Sequence, residues 1–575
     1  MPDPARWRFS PVDRDAARRL ASALDISLPA ARVLCARGYG EPEAARRFFA
    51  PSLEDLHDPR LLAGMDAALD RLRRAIRAGE KILLYGDYDV DGATSVAILK
   101  KAIELAGGAA TFHIPHRLRD GYGMRPEAID EAASAGVSLI VSLDTGIRAA
   151  QAVCRARTLG IDVIVTDHHL PEAELPPALA ILNPNQPGCP YPEKNLCGAG
   201  VAFKLVQALL GSLDWPADKL RRVLGSFLKI VAIATVADVV PLTGENRVIV
   251  KHGLEALSSV RNPGLRELMR LAGIADGATP TAGQVAFRIA PRLNAAGRMA
   301  DANAAVDLLL TSDAERARAL AEELHNLNRD RQDTEAEIVR LALEECLRAP
   351  VDGQSALVFS GRDWHRGVVG IVASRLVERF HRPVFVLGHD VEQGIVQGSG
   401  RSIPGFHLLE ALESMPELFL RFGGHRQAAG VALAPENVEV FRERLNAYAS
   451  ARLTPDDFVP EIEIDSELEF SEIDDRSVRD LLKLAPFGHG NPAPVLWAAG
   501  LEVASPPVVW KEKHARITLR GGNRTLAVKA WNFAPRVEEF PRGAIVDAAF
   551  CFEPDDYMGQ SGWCAVLRDL RPKNR

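Results

Sequence analysis

Short apolar runs that end in charged residues, alternating with stretches of helical period, occupy residues 81–170, and no other feature narrows the possible folds as much. Lys81-Ile-Leu-Leu-Tyr85 is followed by helical periodicity over residues 93–106, the run 137–143 by helical residues 147–159, and the run 161–166 closes the series. Strands this short and apolar throughout, separated by helices of about a dozen residues, are buried on both faces, which predicts βαβ units on a parallel sheet. The expected fold class is α/β.

The chain has 575 residues, too many for one core, and about 100–200 residues per domain gives roughly three to five. Residues 1–75 are Arg- and Ala-rich with helical spacing and end near the amphipathic run 65–79, which predicts an N-terminal helical region. The first α/β domain is placed at 76–300. At Ser312-Asp-Ala-Glu315 a capping box opens a long helix with Leu320, Leu324, Leu327, Ile338 and Leu341 as its apolar stripe, a connecting helix within 301–350. A second α/β block, 351–453, holds the apolar runs between Ala356 and Tyr448. Charge then swings: residues 454–485 hold eleven acids and three bases, whereas 505–536 hold seven bases and one acid. The alternation of Ile517 and Leu519 with Arg516, Thr518 and Arg520 predicts a β-rich third domain over 454–575.

Composition excludes several classes. At 47% hydrophobic and 25% charged residues the chain matches soluble globular proteins and neither disordered nor collagen-like ones. The longest apolar stretch, 230–237, falls far short of the ~20 residues of a membrane-spanning helix. The first residues carry acids and prolines without an apolar core behind them, so no secretory signal is read and cytoplasm is expected. Seven scattered cysteines without C-x-x-C fit neither a disulfide framework nor a thiolate zinc site. A formal net charge of −7 argues against a uniformly basic coat and leaves room for a local basic surface.

Ligands of open α/β sheets sit beyond the carboxyl ends of the strands, and four apolar runs, all read as strands, end in acids. They lead to Asp87-Tyr-Asp89-Val-Asp91-Gly92, to Asp144-Thr-Gly146, to Asp167-His168-His169 and, after residues 229–236, to Ala237-Asp238. The first mimics an EF-hand opening, but position 12 is Ile98 where a bidentate Glu is needed, and a strand enters it. Any one of these aspartates could be a plain helix N-cap. Four acidic ends within about 150 residues of one α/β pattern point instead to convergence, and converging carboxylates repel unless a divalent cation joins them. Oxygen ligands with one imidazole suit Mn²⁺ or Mg²⁺. Five or six carboxylates exceed what one ion takes, so two ions, ~3.5–4 Å apart, are expected; such a pair activates water and clamps the attacking and leaving oxygens of a phosphoryl centre.

Asp89-x-Asp91, Asp144-Thr-Gly146, Asp167-His168-His169 and Ala237-Asp238, in this order, resemble motifs I to IV of the DHH phosphoesterase superfamily. Phe422-Gly423-Gly424-His425-Arg-Gln-Ala-Ala-Gly430 resembles the glycine-histidine motif of its associated C-terminal catalytic domain. More narrowly, residues 86–95, Trp364-His365-Arg-Gly-Val-Val-Gly370, Pro291-Arg292-Leu-Asn294-Ala-Ala-Gly297-Arg298 and Pro486-Phe-Gly488 with Gly490-Asn491-Pro492 resemble the RecJ family of single-strand-specific 5′→3′ DNA exonucleases, from about residue 60 onward. The resemblance implies two α/β domains, DHH and DHH-associated, joined by a long helix, plus a C-terminal OB-like β domain. It implies Asp89, Asp91, Asp144, His168 and Asp238 as metal ligands, Asp144 as the bridge, His169 against the substrate phosphate and Asp167 orienting its neighbours. Tyr85 stands where some members carry a metal-binding His, with Asp87 as the candidate substitute. The catalytic set read in this way is Asp91, Asp144, His168, His169 and His425.

His425 reads either as a phosphate or leaving-group contact or as a loop histidine packed among glycines, and Arg401 as a second phosphate ligand. Arg292, Asn294 and Arg298 either hold a 5′ end or tie domains together. Lys511, Lys513, Arg516, Arg520, Arg524 and Lys529, near Trp510, Trp531 and Phe533, form either a single-strand path or a solvated strand face. The function expected is a metal-dependent exonuclease that threads single-stranded DNA between its α/β domains and releases 5′-mononucleotides during recombination and repair, with a helicase and a single-strand-binding protein as candidate partners and no membrane. The rivals are a small-substrate DHH phosphodiesterase or pyrophosphatase, for which deletion beyond residue 455 leaves turnover intact, and a catalytically inactive replication scaffold.

Overall fold

A computed structural model describes residues 5–117, 119, 121, 123–348, 351, 353–555 and 562–573. The described residues form two compact units. One gathers those of Trp7–Ile114, Gly123–Ala290 and Ile462–Arg575; the other gathers those of Pro115–Tyr122 and Pro291–Glu461 with the residues up to Arg6.

In the first unit a five-stranded sheet runs in the order Ala110–His113, Ile82–Gly86, Leu139–Leu143, Asp162–Thr166, Ala180–Leu182, every neighbouring pair parallel. The chain moves from Ile82–Gly86 out to one edge and then back to Leu139–Leu143 on the other side. The order therefore reverses between those two strands, where loops part and a ligand crevice opens. Leu139–Leu143 is buried at every position, as parallel strands covered on both faces must be. The helix Val90–Leu105 is buried over most of its surface, because the helices Gly198–Gly211 and Ala217–Ala237 cover the side turned away from the sheet. That explains its apolar residues around the whole circumference.

Residues 229–236 differ from the strand expected of them. They are the last turns of the helix Ala217–Ala237, buried from Val231 to Val236. A short, wholly apolar run carries no period that separates a buried strand from a buried helix, and here the run continues an amphipathic segment already helical from Ala217.

The same unit contains the C-terminal β domain. The strands Leu496–Val503, Ile545–Asp555, Gly562–Pro572, Arg524–Ala530 and His514–Gly521 pair in that order, and the last pairs back to the first through Glu502–Arg520 and Val503–Leu519. This closes a five-stranded OB-like barrel, which removes its sheet edges. Inside alternate Ala515, Ile517 and Leu519, the pattern read from the sequence. Helices Arg14–Leu24, Leu28–Ala36 and Pro42–Phe49 have no separate core: Leu20, Leu34 and Phe48 join Val478, Leu481, Phe540 and Phe550 in one cluster. Deletion beyond residue 455 would strip that cluster of most of its members, so it cannot discriminate a small-substrate enzyme as the sequence suggested.

In the other unit the sheet order is Phe419–Gly424, Ala428–Leu433, Ile395–Arg401, Val384–Asp390, Leu357–Arg362, with only the last pair parallel. Val369–Phe380 and the 35-residue helix Ala314–Arg348 share the core on one face, and Val438–Ser450 covers the other. The long helix starts differently from the Ser312/Glu315 box. Asp313 is its cap, accepting the Arg316 N–H at 2.8 Å while its carbonyl accepts from Ala317. Among the described residues no helix is long and apolar enough to cross a membrane, and all seven cysteines are free thiols.

Candidate metal centre and nucleic-acid surface

Three of the acidic segments leave adjacent parallel strands at the reversal of strand order, and the fourth approaches from the end of a helix. Asp89 is the N-cap of Val90–Leu105, accepting the N–H groups of Asp91 and Gly92. Asp91 lies in the first turn and is held from outside: its carboxylate accepts Gly198 N–H at 2.5 Å and Ala199 N–H at 2.7 Å. Those two amides open the helix Gly198–Gly211, whose N-terminus favours an anion. Gly198 has to be glycine, since a Cβ there would stand 2.6 Å from the Asp144 side chain.

Asp144 follows Leu139–Leu143 with φ 62°, a left-handed conformation that Asp tolerates better than most residues. His168 Nε2 lies 3.2 Å from Asp144 Oδ1, 3.8 Å from Asp91 Oδ2 and 3.8 Å from Asp238 Oδ2. Three overlapping sets of donor atoms each fit within 4.8 Å: Asp144, His168 and His169; Asp91, His168 and Asp238; Asp87, Asp89 and Asp144. Asp144 belongs to two of them.

Asp167 acts from behind. It is buried, accepts the N–H groups of Ile147, His168 and His169, and holds His169 Nδ1 at 2.8 Å. Burial opposes its charge, but the hydrogen bond and charge of His169 outweigh burial and keep its carboxyl below the usual range. Reciprocally, burial opposes protonation of His169, yet Asp167 raises its pKa. Burial lowers that of His168, leaving a neutral ring.

The remaining carboxyls move the other way. Burial, and then the charges of Asp91, Asp89, Asp87 and Asp238, push Asp144 well above the usual range. Burial also raises Asp91, and burial with Asp91 and Asp89 pushes Asp238 up to about 9. Oδ1 of Asp144 is buried and accepts no hydrogen bond, although the ring nitrogens of His168 and His169 stand 3.2 and 4.0 Å away. A donorless buried oxygen among mutually repelling acids, with one neutral imidazole, fits a hard divalent cation such as Mn²⁺ or Mg²⁺.

The sequence did not reveal the supports of this cluster. Asn183 and Asn185 donate to the carbonyls of His169 and His168 at 2.9 and 2.8 Å. The available signal was Asn183-Pro-Asn185 directly after an apolar run. The Gly198 and Ala199 amides had no signal, because backbone groups are not specified by residue type.

Other predicted residues lie in the second unit. His425 sits at the turn between Phe419–Gly424 and Ala428–Leu433 and is exposed. Burial, then Arg401 and His407, lower its pKa. Arg401 donates to Ser399 Oγ at 2.7 Å, and burial, then Arg117, lowers its pKa. Arg117, which the sequence did not single out, thus adds to a positive field an anion would relieve. Arg292 and Arg298 share the helix Ala290–Met299 with Asn294; Arg292 Nε bonds His325 Nδ1 at 3.2 Å, and Arg298 bonds the Gly367 carbonyl at 3.0 Å.

On the barrel, Trp510, His514 and Trp531 cluster with ring centroids 4.9–5.6 Å apart, and Trp531 is 50% exposed. Phe533 departs from expectation: it is buried against Phe540 in the shared core. Lys529 is engaged by Asp555 at 2.9 Å, Arg520 lies 3.8 Å from Glu502, and Arg524 donates to the Ile473 carbonyl. Lys511, Lys513 and Arg516 flank the aromatic cluster.

Residues 81–235 match the DHH family, N-terminal domain; 353–451 match the DHHA1 domain; 464–569 match the RecJ OB domain. The chain is 41% identical to the single-stranded-DNA-specific exonuclease RecJ of Bacillus subtilis over 92% of its own length and 66% of that protein's. It is 40% identical to the protein of the same name from Dickeya dadantii over 96% of this chain and 97% of that one. The crystal structure of RecJ from Thermus thermophilus in complex with Mn²⁺ superposes with a TM-score of 0.84 at 33% identity, covering 100% of this chain and 81% of that one. The complex of that protein with Mg²⁺ gives 0.78 at 32%, with 100% and 79% covered. Two catalytic-type domains, an OB-like barrel and an acid–histidine cluster at the strand ends, matched along nearly the full length of the Dickeya protein, show that this chain belongs to the RecJ family.

Proposed function

We propose that the chain is a metal-dependent exonuclease that degrades single-stranded DNA from the 5′ end to mononucleotides. The observation carrying this reading is the meeting of Asp87, Asp89, Asp91, Asp144, Asp238 and His168, from segments far apart in the chain, in donor sets that each fit within 4.8 Å. Two sets share Asp144, which supports a pair of ions with Asp144 between them. When bound, Mn²⁺ or Mg²⁺ would supply a Lewis acid that activates water and offsets charge on the phosphoryl oxygens.

The protein's own contribution is positioning and charge. Neutral His168 presents Nε2 to the cluster as a ligand. His169, tied through Nδ1 to buried Asp167, keeps the proton it can donate to a phosphate oxygen. Asp167 fixes the His169 ring and the His168 backbone, and the Gly198 and Ala199 amides fix Asp91, so these groups stand in place before charge develops. In the other unit Arg401, supported by Arg117, and His425 are the proposed phosphate contacts. On the barrel, Lys511, Lys513 and Arg516 beside Trp510 and Trp531 suit a strand that stacks its bases and lays its backbone along the cations, without reading sequence. The proposed substrate is a single strand freed by a helicase or carried by a single-strand-binding protein, in the cytoplasm during recombination and repair.

The test is direct: 5′- and 3′-labelled single and double strands are incubated with the protein and Mn²⁺. Labelled 5′-mononucleotide released first from the 5′-labelled single strand is expected. Internal cuts, or equal loss of duplex, would sink the reading.

A further inference from the structure

The loop after Asp238 is held in a conformation it would not choose. Asp238 is the C-cap of Ala217–Ala237, and the next residue, Val239, has φ 58° and is 64% exposed. A β-branched residue stays in the left-handed region only where its surroundings impose it. Solvent covers the Val239 side chain, so the constraint lies further along the loop.

The constraint is a turn of the C-terminal domain. The Leu242 N–H donates to the His489 carbonyl at 2.7 Å. Gly490 has φ 69°, and a Cβ there would stand 2.8 Å from Pro241 Cβ and 3.1 Å from Pro241 Cα. A Cβ at Gly488 would meet Leu242 Cδ1 at 2.7 Å. The turn is itself rigid: Gly488 and Asn491 exchange backbone bonds at 2.8 and 3.1 Å. Buried Asn491 donates to the Leu484 and Pro486 carbonyls and accepts from Arg37. On the loop's other side Asn246 donates to the carbonyls of Pro241 and Asn195 at 3.2 and 2.7 Å. Residues 239–242 are therefore clamped between the barrel and the catalytic-type domain, one residue from the Asp238 carboxylate.

We infer that the turn at residues 488–491 is a positioning element for the metal ligand Asp238, so that the barrel domain helps to form the metal centre as well as to hold DNA. Releasing the clamp lets Val239 relax and moves Asp238 away from His168 and Asp91, which weakens metal binding without removing any ligand. The inference rests on the metal reading given above.

The test compares full-length wild type, Gly490→Ala and Gly522→Ala. Gly522 also has a positive φ, 57°, in the same barrel, but a Cβ there meets nothing within 4 Å, so it matches the backbone strain without the contact. Binding of Mn²⁺ alone is titrated by the loss of the free-ion resonance signal, and hydrolysis is measured against Mn²⁺ concentration. Loss of support for a ligand typically weakens metal affinity 10–100-fold. Gly490→Ala is expected to bind Mn²⁺ about tenfold more weakly and to regain near wild-type turnover at saturating Mn²⁺, while Gly522→Ala binds as wild type does. Equal Mn²⁺ affinity of Gly490→Ala and wild type would overturn the inference. Should Gly490→Ala fail to fold, Pro241→Gly, which loosens the same contact without adding atoms, decides by the same criterion. Wild type that binds no Mn²⁺ would instead overturn the metal reading, and the inference with it.

Discussion

Asp144 concentrates the electrostatic problem of the site. Its Oδ1 is buried without a hydrogen bond, and four other acids raise its pKa after burial has done so. Replacing it by Ala removes the proposed shared ligand and relieves repulsion together. Asp144→Ala should lose at least about 100-fold in hydrolysis, the upper end of what losing a mere support costs, and should melt in chelator no lower than wild type. Near-normal turnover would refute bridging. The raised carboxyls also set a pH dependence. In the metal-free fold Asp144, Asp91 and Asp238 retain protons that the unfolded chain has released, so stability falls as pH rises from about 4 toward the value near 9 reached by Asp238. A cation displaces those protons. The rise in Tm produced by a fixed excess of Mn²⁺ should therefore be larger at pH 8 than at pH 5.5, and binding should release protons into a weakly buffered solution. An equal rise at both pH values would show that the carboxyls are already ionised.

At the scale of elements, identical residue types acquire different roles from their neighbours. The basic strands of the barrel looked equivalent as sequence, but pairing of His514–Gly521 with Leu496–Val503 sets Arg520 opposite Glu502, and Lys529 meets Asp555 from Ile545–Asp555. Lys511, Lys513 and Arg516 make no ion pair among the described residues and adjoin the Trp510–Trp531 cluster. Changing these three to Ala should weaken binding of long single strands and lower the slope of log affinity against log salt by about 2, at about 0.7 per phosphate contact. Changing Arg520 and Lys529 should do less. Equal effects of both sets would count against this surface. The helix Ala217–Ala237 illustrates the same dependence: Asp238 was found as a candidate ligand, but on the wrong kind of element, since a short apolar run fits either a strand or a helix.

At the scale of the whole molecule, the N-terminal helices and the C-terminal barrel share one core. Arg247 fastens a third region to it: buried, stacked 3.8 Å from the Phe48 ring, it donates to the carbonyls of Phe48 at 2.7 Å and Ala485 at 2.9 Å. Burial lowers its pKa to about 10. A chain ending at Glu461 should expose Leu20, Leu34 and Phe48, and limited proteolysis should then cut between residues 14 and 49 at rates far above those of the full chain. Equal resistance would mean that the N-terminal helices hold together without the barrel.

What the amino-acid order determined unaided was the local grammar: strands buried on both faces between Ile82 and Thr166, acids directly after them, the alternation of Ile517 and Leu519, and the family resemblance those motifs carry. Each depends on period or turn chemistry over a few residues, and the parallel sheet then brings successive strand ends to one edge. Tertiary structure decided the rest: which basic residues acquired acidic partners, that Phe533 turned inward, that Asn183, Asn185 and two helix-opening amides brace the cluster, and that a turn at Gly488–Asn491, distant in the chain, leans on the loop after Asp238. These contacts join surfaces remote in sequence, and their energy depends on burial and distance, which no stretch of sequence contains until the whole has closed.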